Sequence, residues 1–136
     1  MIKIGFFSLS VLFALFSTGC SRSDECDPNR YCEQQKLDSS FVTVKVTYAT
    51  GVAVPIEMYE GYIDDGTLYF RDTLYENKVT YYLPSDKRYS ARAYYKQGAQ
   101  TIIATDGGKV AVKTFWNCDE RCYKSRDLTL ELELLQ

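Results

Sequence analysis

The sequence predicts an all-β protein folded as an antiparallel two-sheet sandwich of seven to nine short strands. Runs of alternating apolar and polar residues recur at intervals of about 8–12 residues, as strands of such a sandwich do. Gly, Pro, Asn and Asp separate these runs, and they are the residues that turns require. Tyrosine, a residue that favours strands, occurs twelve times among 136 residues.

The first half of the domain is predicted to hold four strands. Residues 41–48 alternate cleanly, with apolar side chains at every second position. The run 54–59 contains Pro55, which cannot donate to a neighbouring strand and therefore predicts an edge strand. Residues 63–67 predict a tight hairpin in which Gly66 adopts a positive φ. Strands 67–75 and 79–83 follow.

Four further strands are predicted in the second half of the domain. The run 88–95 places Tyr89 and Ala91 on one face, and 101–105 follows it. Asp106-Gly107-Gly108 is the strongest hairpin signal in the chain and predicts a turn into a strand that ends near Trp116. A loop that contains two cysteines then leads to 128–134, where leucine alternates with polar residues.

Composition excludes several classes of function. The formal net charge is −2 and no basic block is present, so nucleic acid is not an expected partner. Histidine is absent, which excludes Ser-His and Cys-His nucleophile pairs and histidine zinc sites. We expect no cofactor, no metal and no catalytic residue.

The N-terminus indicates export. Lys3 precedes an apolar run from Ile4 to Phe16, which is too short for a membrane span but typical of a signal peptide. Residues 17–20, Ser-Thr-Gly-Cys, resemble the lipobox of bacterial lipoproteins, with Ser where that pattern prefers Leu. The resemblance implies cleavage after residue 19 and attachment of lipid, including palmitate, to Cys20.

The residues after Cys20 resemble the sorting signal of Gram-negative outer-membrane lipoproteins, because Ser rather than Asp follows the lipidated cysteine. We therefore expect a signal peptide at 1–19, a lipidated polar tether at 20–40 and a β-sandwich domain at 41–136. The expected location is the cell envelope, anchored in the outer membrane by lipid, with the domain in the periplasm or on the cell surface.

Four other cysteines, Cys26, Cys32, Cys118 and Cys122, form an even set in an exported chain, which predicts two disulfides. Three pairings are possible. Local pairing would close two small loops, whereas the other two pairings would join the N-terminal segment to the loop before the last strand. A four-thiolate metal site is the alternative.

Two surfaces are candidates for binding. The adjacent tyrosines Tyr81-Tyr82 and Tyr94-Tyr95 must each send one ring to either face of a strand. The outward rings could form a platform with Trp116, or they could only pair across strands. The second candidate is Asp119-Glu120-Arg121, a charged sequence displayed between two cysteines.

Within 41–136, two sequence patterns resemble the transthyretin-like, carboxypeptidase-regulatory class of sandwich. They are 51–56, Gly-Val-Ala-Val-Pro-Ile, after the first strand, and Leu83-Pro84 followed by Tyr89 and Ala91. The resemblance implies a non-catalytic accessory or adhesive module and carries no site residues with it. An immunoglobulin-like sandwich is the other arrangement that the strand pattern allows.

The leading hypothesis is an outer-membrane lipoprotein that works as a binding or assembly module. Its expected partners are the membrane, through the lipid, and a protein, with a glycan as the less favoured alternative. A second hypothesis is an envelope inhibitor that presents the Cys118-Cys122 loop to an enzyme. The third is a small hydrolase that uses Asp64 or Asp65, residues that could also bind calcium together with Asp106.

Overall fold

The structure is a computed structural model that describes residues 26–135. Nine strands succeed one another along this range and are numbered in chain order: β1 Ser39–Val46, β2 Val54–Glu60, β3 Thr67–Leu74, β4 Lys78–Pro84, β5 Arg88–Gln97, β6 Gln100–Lys109, β7 Ala111–Asn117, β8 Glu120–Arg126 and β9 Leu128–Leu132. Within 26–135 no helix is long and apolar enough to cross a membrane. The predicted signal peptide and Cys20 lie outside the described residues.

The predicted sandwich is confirmed. One sheet has the order β4-β1-β9 and the other has the order β3-β2-β5-β6, while β7 and β8 form a separate two-stranded sheet. All pairs in the two sheets are antiparallel except β1–β9, which is parallel. The parallel pair was not expected from the sequence, since alternation within a strand does not reveal the direction of its neighbour.

The core lies between the two sheets and follows the predicted alternation. Val42, Val44 and Val46 of β1 are fully buried, as are Leu130 and Leu132 of β9. The opposite sheet contributes further buried residues: Val54, Ile56, Met58, Leu74, Tyr89, Ala91, Ala93 and Tyr95. Period-two patterning therefore identified the inward face of these strands correctly.

The hairpin predicted at Asp106-Gly107-Gly108 is wrong. All three residues lie within β6, paired with Tyr89, Ser90 and Ala91 of β5. Two glycines occur here because neighbouring side chains approach closely: a Cβ on Gly107 would lie 2.6 Å from the Ser90 Oγ. β6 instead continues to Lys109, and Val110 alone separates it from β7. The earlier turn, between β5 and β6, lies at Gly98 as the Gln97-Gly98 pair predicts, and the φ of Gly98 is +61°.

The connection between β2 and β3 is a six-residue loop, 61–66, rather than the predicted tight hairpin. The positive φ falls on Gly61, at +105°, and not on Gly66. Glycine is still required at position 66, since a Cβ there would lie 2.8 Å from the Glu60 carbonyl oxygen.

The edge position predicted from Pro55 is also wrong, because β2 is an interior strand between β3 and β5. Pro55 is opposite Thr73 of β3, but pairing with β5 begins one residue later, at Ile56. The missing N–H is therefore tolerated at the end of an interior strand.

Residues 117–126, expected as a loop, instead complete a β-hairpin of β7 and β8. The turn consists of Cys118 and Asp119, with φ values of 49° and 65°, as a two-residue turn with left-handed backbone requires. The disulfides are Cys26–Cys118 and Cys32–Cys122, which resolves the three possible pairings and excludes a four-thiolate metal site.

These disulfides overturn part of the predicted tether. Residues 26–34 are attached along the β7–β8 hairpin, and the Tyr123 N–H donates to the Glu33 carbonyl oxygen at 2.8 Å. Asn117 completes the attachment at the hairpin tip, where its side chain accepts from the Asp27 N–H at 3.1 Å and donates to the Asp27 carbonyl at 3.0 Å.

The sandwich has two poles, defined by the ends of β1. The hairpin leaves from the proximal pole, at the start of β1, where the Ser40 hydroxyl donates to Asp127 at 2.7 Å. The distal pole is the end of β1, where the Val46 N–H donates to the carbonyl of Asn77 in the β3–β4 turn at 3.0 Å. Eight residues of strand separate the poles, a distance of about 25 Å.

Candidate functional site

The distal pole contains a cleft of about 360 Å³, which we call the distal cleft. Its walls come from the residues after β1, the start of β2, the end of β5, the start of β6 and the residues after β9. The lining residues are Thr47, Ala49, Val52, Ala53, Val54, Pro55, Tyr94, Tyr95, Lys96, Gln97, Thr101 and Leu134. Two of the predicted binding residues, Tyr94 and Tyr95, are among them.

Tyr95 is a fixed part of the cleft. Its ring is buried, and its hydroxyl donates to the Leu132 carbonyl at 2.6 Å while accepting from the Thr47 N–H at 3.0 Å. Burial raises the pKa of this phenol above its usual value. Tyr95 therefore joins β5 to both β1 and β9 and makes the base of the cleft rigid.

Tyr94 belongs to a network on the outer face of the four-stranded sheet, centred on Glu57. The hydroxyls of Tyr59 and Tyr94 each donate to Glu57 Oε2 at 2.6 Å, and the Arg71 Nε donates to Oε1 at 2.9 Å. The bonds from Tyr59, Tyr94 and Arg71, in that order of effect, lower the pKa of Glu57 to about 2. The Tyr94 ring is thereby held at the rim of the cleft.

The distal cleft continues into a groove between β6 and the end of β9. This groove has a volume of about 640 Å³ and shares Gln97 and Leu134 with the cleft. Ile102 and Leu135 supply exposed apolar surface along it. The groove is more polar than the cleft, because Glu131 and Glu133 also line it. The cleft alone falls within the volume range of small ligand sites.

The other tyrosine pair lies elsewhere. Tyr82 is 63% exposed on the outer face of the three-stranded sheet, where its ring lies 5.2 Å from that of Phe41. Tyr81 points inward and packs on Phe70 at 4.9 Å. The prediction that one ring of each pair faces outward is confirmed for Tyr82. Cross-strand pairing with Phe41 accounts for its position.

The structure does not bring the predicted platform together. Tyr82 and Tyr94 lie on the outer faces of different sheets, and Trp116 lies on the β7–β8 hairpin, directly opposite Arg121. A single stacking surface formed by these residues is therefore wrong.

Asp119, Glu120 and Arg121 occupy the hairpin tip, exposed to solvent. Cys118 and Cys122 flank them but are bonded to Cys26 and Cys32 rather than to each other. The Gln34 side chain donates to Glu120 at 3.2 Å, so the tip and the N-terminal segment form one unit.

The turn carboxylates do not converge. Asp64 and Asp65 are exposed in the loop 61–66. Asp106 lies in β6, where its carboxylate accepts from the Glu131 N–H at 2.8 Å and from the Gly107 N–H at 2.7 Å. No group of three or more potential metal ligands occurs among residues 26–135. Asp106 joins the edges of the two sheets.

Sequence reasoning missed Glu57 and most of the aliphatic lining of the distal cleft. The alternation of β2 places Pro55, Glu57 and Tyr59 on one face, so an outward Glu beside an outward Tyr was a usable signal. No sequence pattern marked Val52 as a cleft residue. Its position depends on a turn in which the Val52 N–H donates to the Ala49 carbonyl at 2.8 Å.

Comparison with known proteins adds no family to this description: no family model, curated protein or solved structure matches the chain.

Proposed function

We propose that the protein is an outer-membrane lipoprotein, anchored through Cys20, whose sandwich is a non-catalytic module that binds a partner in the distal cleft. The observation that carries the proposal is the opposition of the two poles. The chain enters the described structure at the hairpin tip, beyond the proximal pole, whereas the cleft opens at the distal pole. An anchored molecule of this shape directs its apolar cleft away from the membrane.

The lining of the cleft favours an extended apolar segment of a protein partner. Val52, Val54 and Leu134 provide aliphatic walls, and Val52 is 56% exposed. The adjoining groove follows β6, an edge strand of the four-stranded sheet. Edge strands accept extended chains through main-chain hydrogen bonds, and side pockets give such contacts their specificity. A glycan would be expected to need more exposed aromatic faces than Tyr94 alone provides.

Site-specific photo-crosslinking tests this function. A benzophenone amino acid is placed at Val52 in the cleft and, as the control, at Tyr82 on the outer face of the other sheet. In cells that export the protein, we expect a discrete adduct from position 52 and none from position 82. Val52→Asp should reduce capture of that same partner, because a carboxylate in an apolar cleft must be desolvated. Equal adducts at both positions, or none at position 52, would refute the assignment.

The anchor is tested separately. Cys20→Ser should abolish incorporation of labelled palmitate and move the protein from the membrane to the soluble fraction. Protease treatment of intact cells, with a periplasmic protein as the leakage control, then distinguishes a surface location from a periplasmic one. Retention of label by the Cys20→Ser protein would contradict lipidation at this residue.

The inhibitor hypothesis places the contact at the opposite pole, on Asp119, Glu120 and Arg121. Replacing all three residues by Ala leaves the distal cleft unchanged. If the crosslinked partner is still captured, the cleft is the binding site. If capture is lost, the hairpin tip is the binding site and the inhibitor hypothesis is favoured.

A further inference from the structure

The two faces of the β7–β8 hairpin differ in what covers them. Residues that pair across an antiparallel ribbon share a face, so Phe115 and Cys122 lie on one side. That side is covered by the N-terminal segment, since Cys32 is bonded to Cys122 and the Arg30 guanidinium lies 4.3 Å from the centre of the Phe115 ring. The covered face is a structural contact within the protein.

The opposite face presents Trp116 to solvent. By register it consists of six residues, Val112, Thr114, Trp116, Arg121, Tyr123 and Ser125, among which Arg121 carries the only charge. Trp116 is 59% exposed, and the Arg121 guanidinium lies 5.8 Å from the Tyr123 ring centre. The acidic Glu120 is on the other face, opposite Asn117. This surface, which we call the Trp116 face, combines aromatic rings with the Arg121 cation, and Glu33, which bridges to Tyr123, borders it along the β8 edge.

The covalent path places the Trp116 face near the predicted anchor. The Cys26–Cys118 disulfide holds the Cα atoms of these residues 4.6 Å apart at the hairpin turn. Cys20 precedes Cys26 by six residues, and six residues span at most about 21 Å even when fully extended. A lipid on Cys20 would therefore keep Cys26 within about 21 Å of the bilayer surface and the hairpin tip within about 26 Å, a much shorter reach than a tether of 21 residues would allow.

We propose that the Trp116 face is a second membrane contact, in which Trp116 enters the interfacial layer of the bilayer and Arg121 binds lipid phosphates. Tryptophan is enriched at this depth because its ring is amphipathic, and arginine directs its charged end to the headgroups. The inference rests on the proposed lipid anchor at Cys20, which brings the hairpin to the surface. Its consequence is a fixed orientation: two attachment points align the hairpin and keep the distal cleft away from the membrane.

The chain itself supplies the probe. Trp116 is the only tryptophan, so its fluorescence can be excited selectively over that of the tyrosines. The two disulfides use four of the five cysteines, which leaves the Cys20 thiol for coupling. The mature chain, residues 20–136, is coupled through Cys20 to a maleimide phospholipid in vesicles of phosphatidylcholine and phosphatidylglycerol. Quenching is then measured with phospholipids brominated near the headgroup or near the chain end.

We expect strong quenching of Trp116 by shallow bromines and weaker quenching by deep ones. The matched control is the double variant Trp116→Phe/Tyr75→Trp, which moves the single tryptophan to the β3–β4 turn at the distal pole, where Tyr75 is 70% exposed. This variant should show no quenching. Arg121→Ala should weaken the contact about fivefold on anionic vesicles, the effect of one basic residue at such a surface.

Quenching of Trp116 no greater than that of the control would overturn the proposal. If Trp116 stays accessible to acrylamide on vesicles, the Trp116 face does not contact lipid and is instead open to a protein partner. Chemical coupling makes this result independent of lipidation in cells. A chain that incorporates no palmitate in cells refutes the biological anchor, whereas absent quenching on coupled vesicles refutes the membrane contact.

Discussion

The two disulfides share one loop, and this predicts that their contributions to stability are strongly non-additive. Each bond joins residues about ninety positions apart: the separations are 92 and 90. Either bond alone closes a long loop in the unfolded chain. In the chain-entropy model, the lost conformational entropy of that loop stabilises the folded state by about 4.6 kcal/mol. Once one bond exists, the second closes only the ring formed by 26–32 and 118–122, about ten residues, for about 2.7 kcal/mol.

The perturbations are Cys26→Ala/Cys118→Ala, Cys32→Ala/Cys122→Ala and the variant with all four replacements. Each pair variant keeps the other disulfide and should lose only the small ring, about 2.7 kcal/mol of unfolding free energy. The fourfold variant should lose about 7.3 kcal/mol, an amount comparable to the whole stability of many domains. The excess over two single losses is about 2 kcal/mol.

Urea denaturation monitored by Trp116 fluorescence and by far-ultraviolet circular dichroism measures all four proteins. The urea dependence of the free energy should also rise with each bond removed, because the unfolded chain expands and exposes more surface. If each pair variant lost about 4.6 kcal/mol and the losses simply added, the shared-loop reasoning would be refuted. Each disulfide would then stabilise the protein through contacts in the folded state and not through the entropy of the unfolded chain.

Three other predictions concern single residues. Glu57→Gln should cost about 2 kcal/mol at pH 7, since three donors lose a charged acceptor. Folding lowers the pKa of Glu57 to about 2 from its usual 4.5. The stability advantage of the native protein over the Gln variant should therefore be complete above pH 4.5 and disappear as the pH falls toward 2. Urea titrations at a series of pH values from 7 downward measure this difference. Gly107→Ala should cost about 1–3 kcal/mol in chemical denaturation, because the added Cβ would lie 2.6 Å from the Ser90 Oγ, and an unchanged midpoint would contradict that packing. Leu130→Ala should cost about 2–5 kcal/mol, whereas Leu135→Ala, at an exposed position, should stay within about 0.5 kcal/mol in the same assay.

Strand positions and their inward faces could be predicted from the sequence because both depend on local alternation. The valines of β1 are buried, as are Tyr89, Ala91, Ala93 and Tyr95, which share the predicted face of β5. Two of the errors arose where glycine or proline was taken to mark a turn or an edge strand. Gly107 and Pro55 respond to neighbours distant in sequence: the side chain of Ser90 and the point at which pairing with β5 begins.

The candidate site was less predictable than the fold. Tyr94 and Tyr95 were identified as candidates, but the distal cleft they line is assembled from three separate stretches of the chain, 47–55, 94–101 and Leu134. Glu57 was not singled out, because a lone carboxylate acquires its role only when Tyr59, Tyr94 and Arg71 all reach it. Neither the composition nor the spacing of these residues predicts that their four side chains meet.

The sequence by itself determined an all-β sandwich and an even set of four cysteines outside the N-terminal apolar run, since each depends on residue type and spacing along the chain. Only the tertiary structure decided the parallel pairing of β1 with β9, the partners of Cys26 and Cys32, and the separation of Tyr82, Tyr94 and Trp116 onto different surfaces. The physical reason is that strand direction, disulfide partners and shared surfaces are set by distances through space, which loop closure and packing of the two sheets establish together.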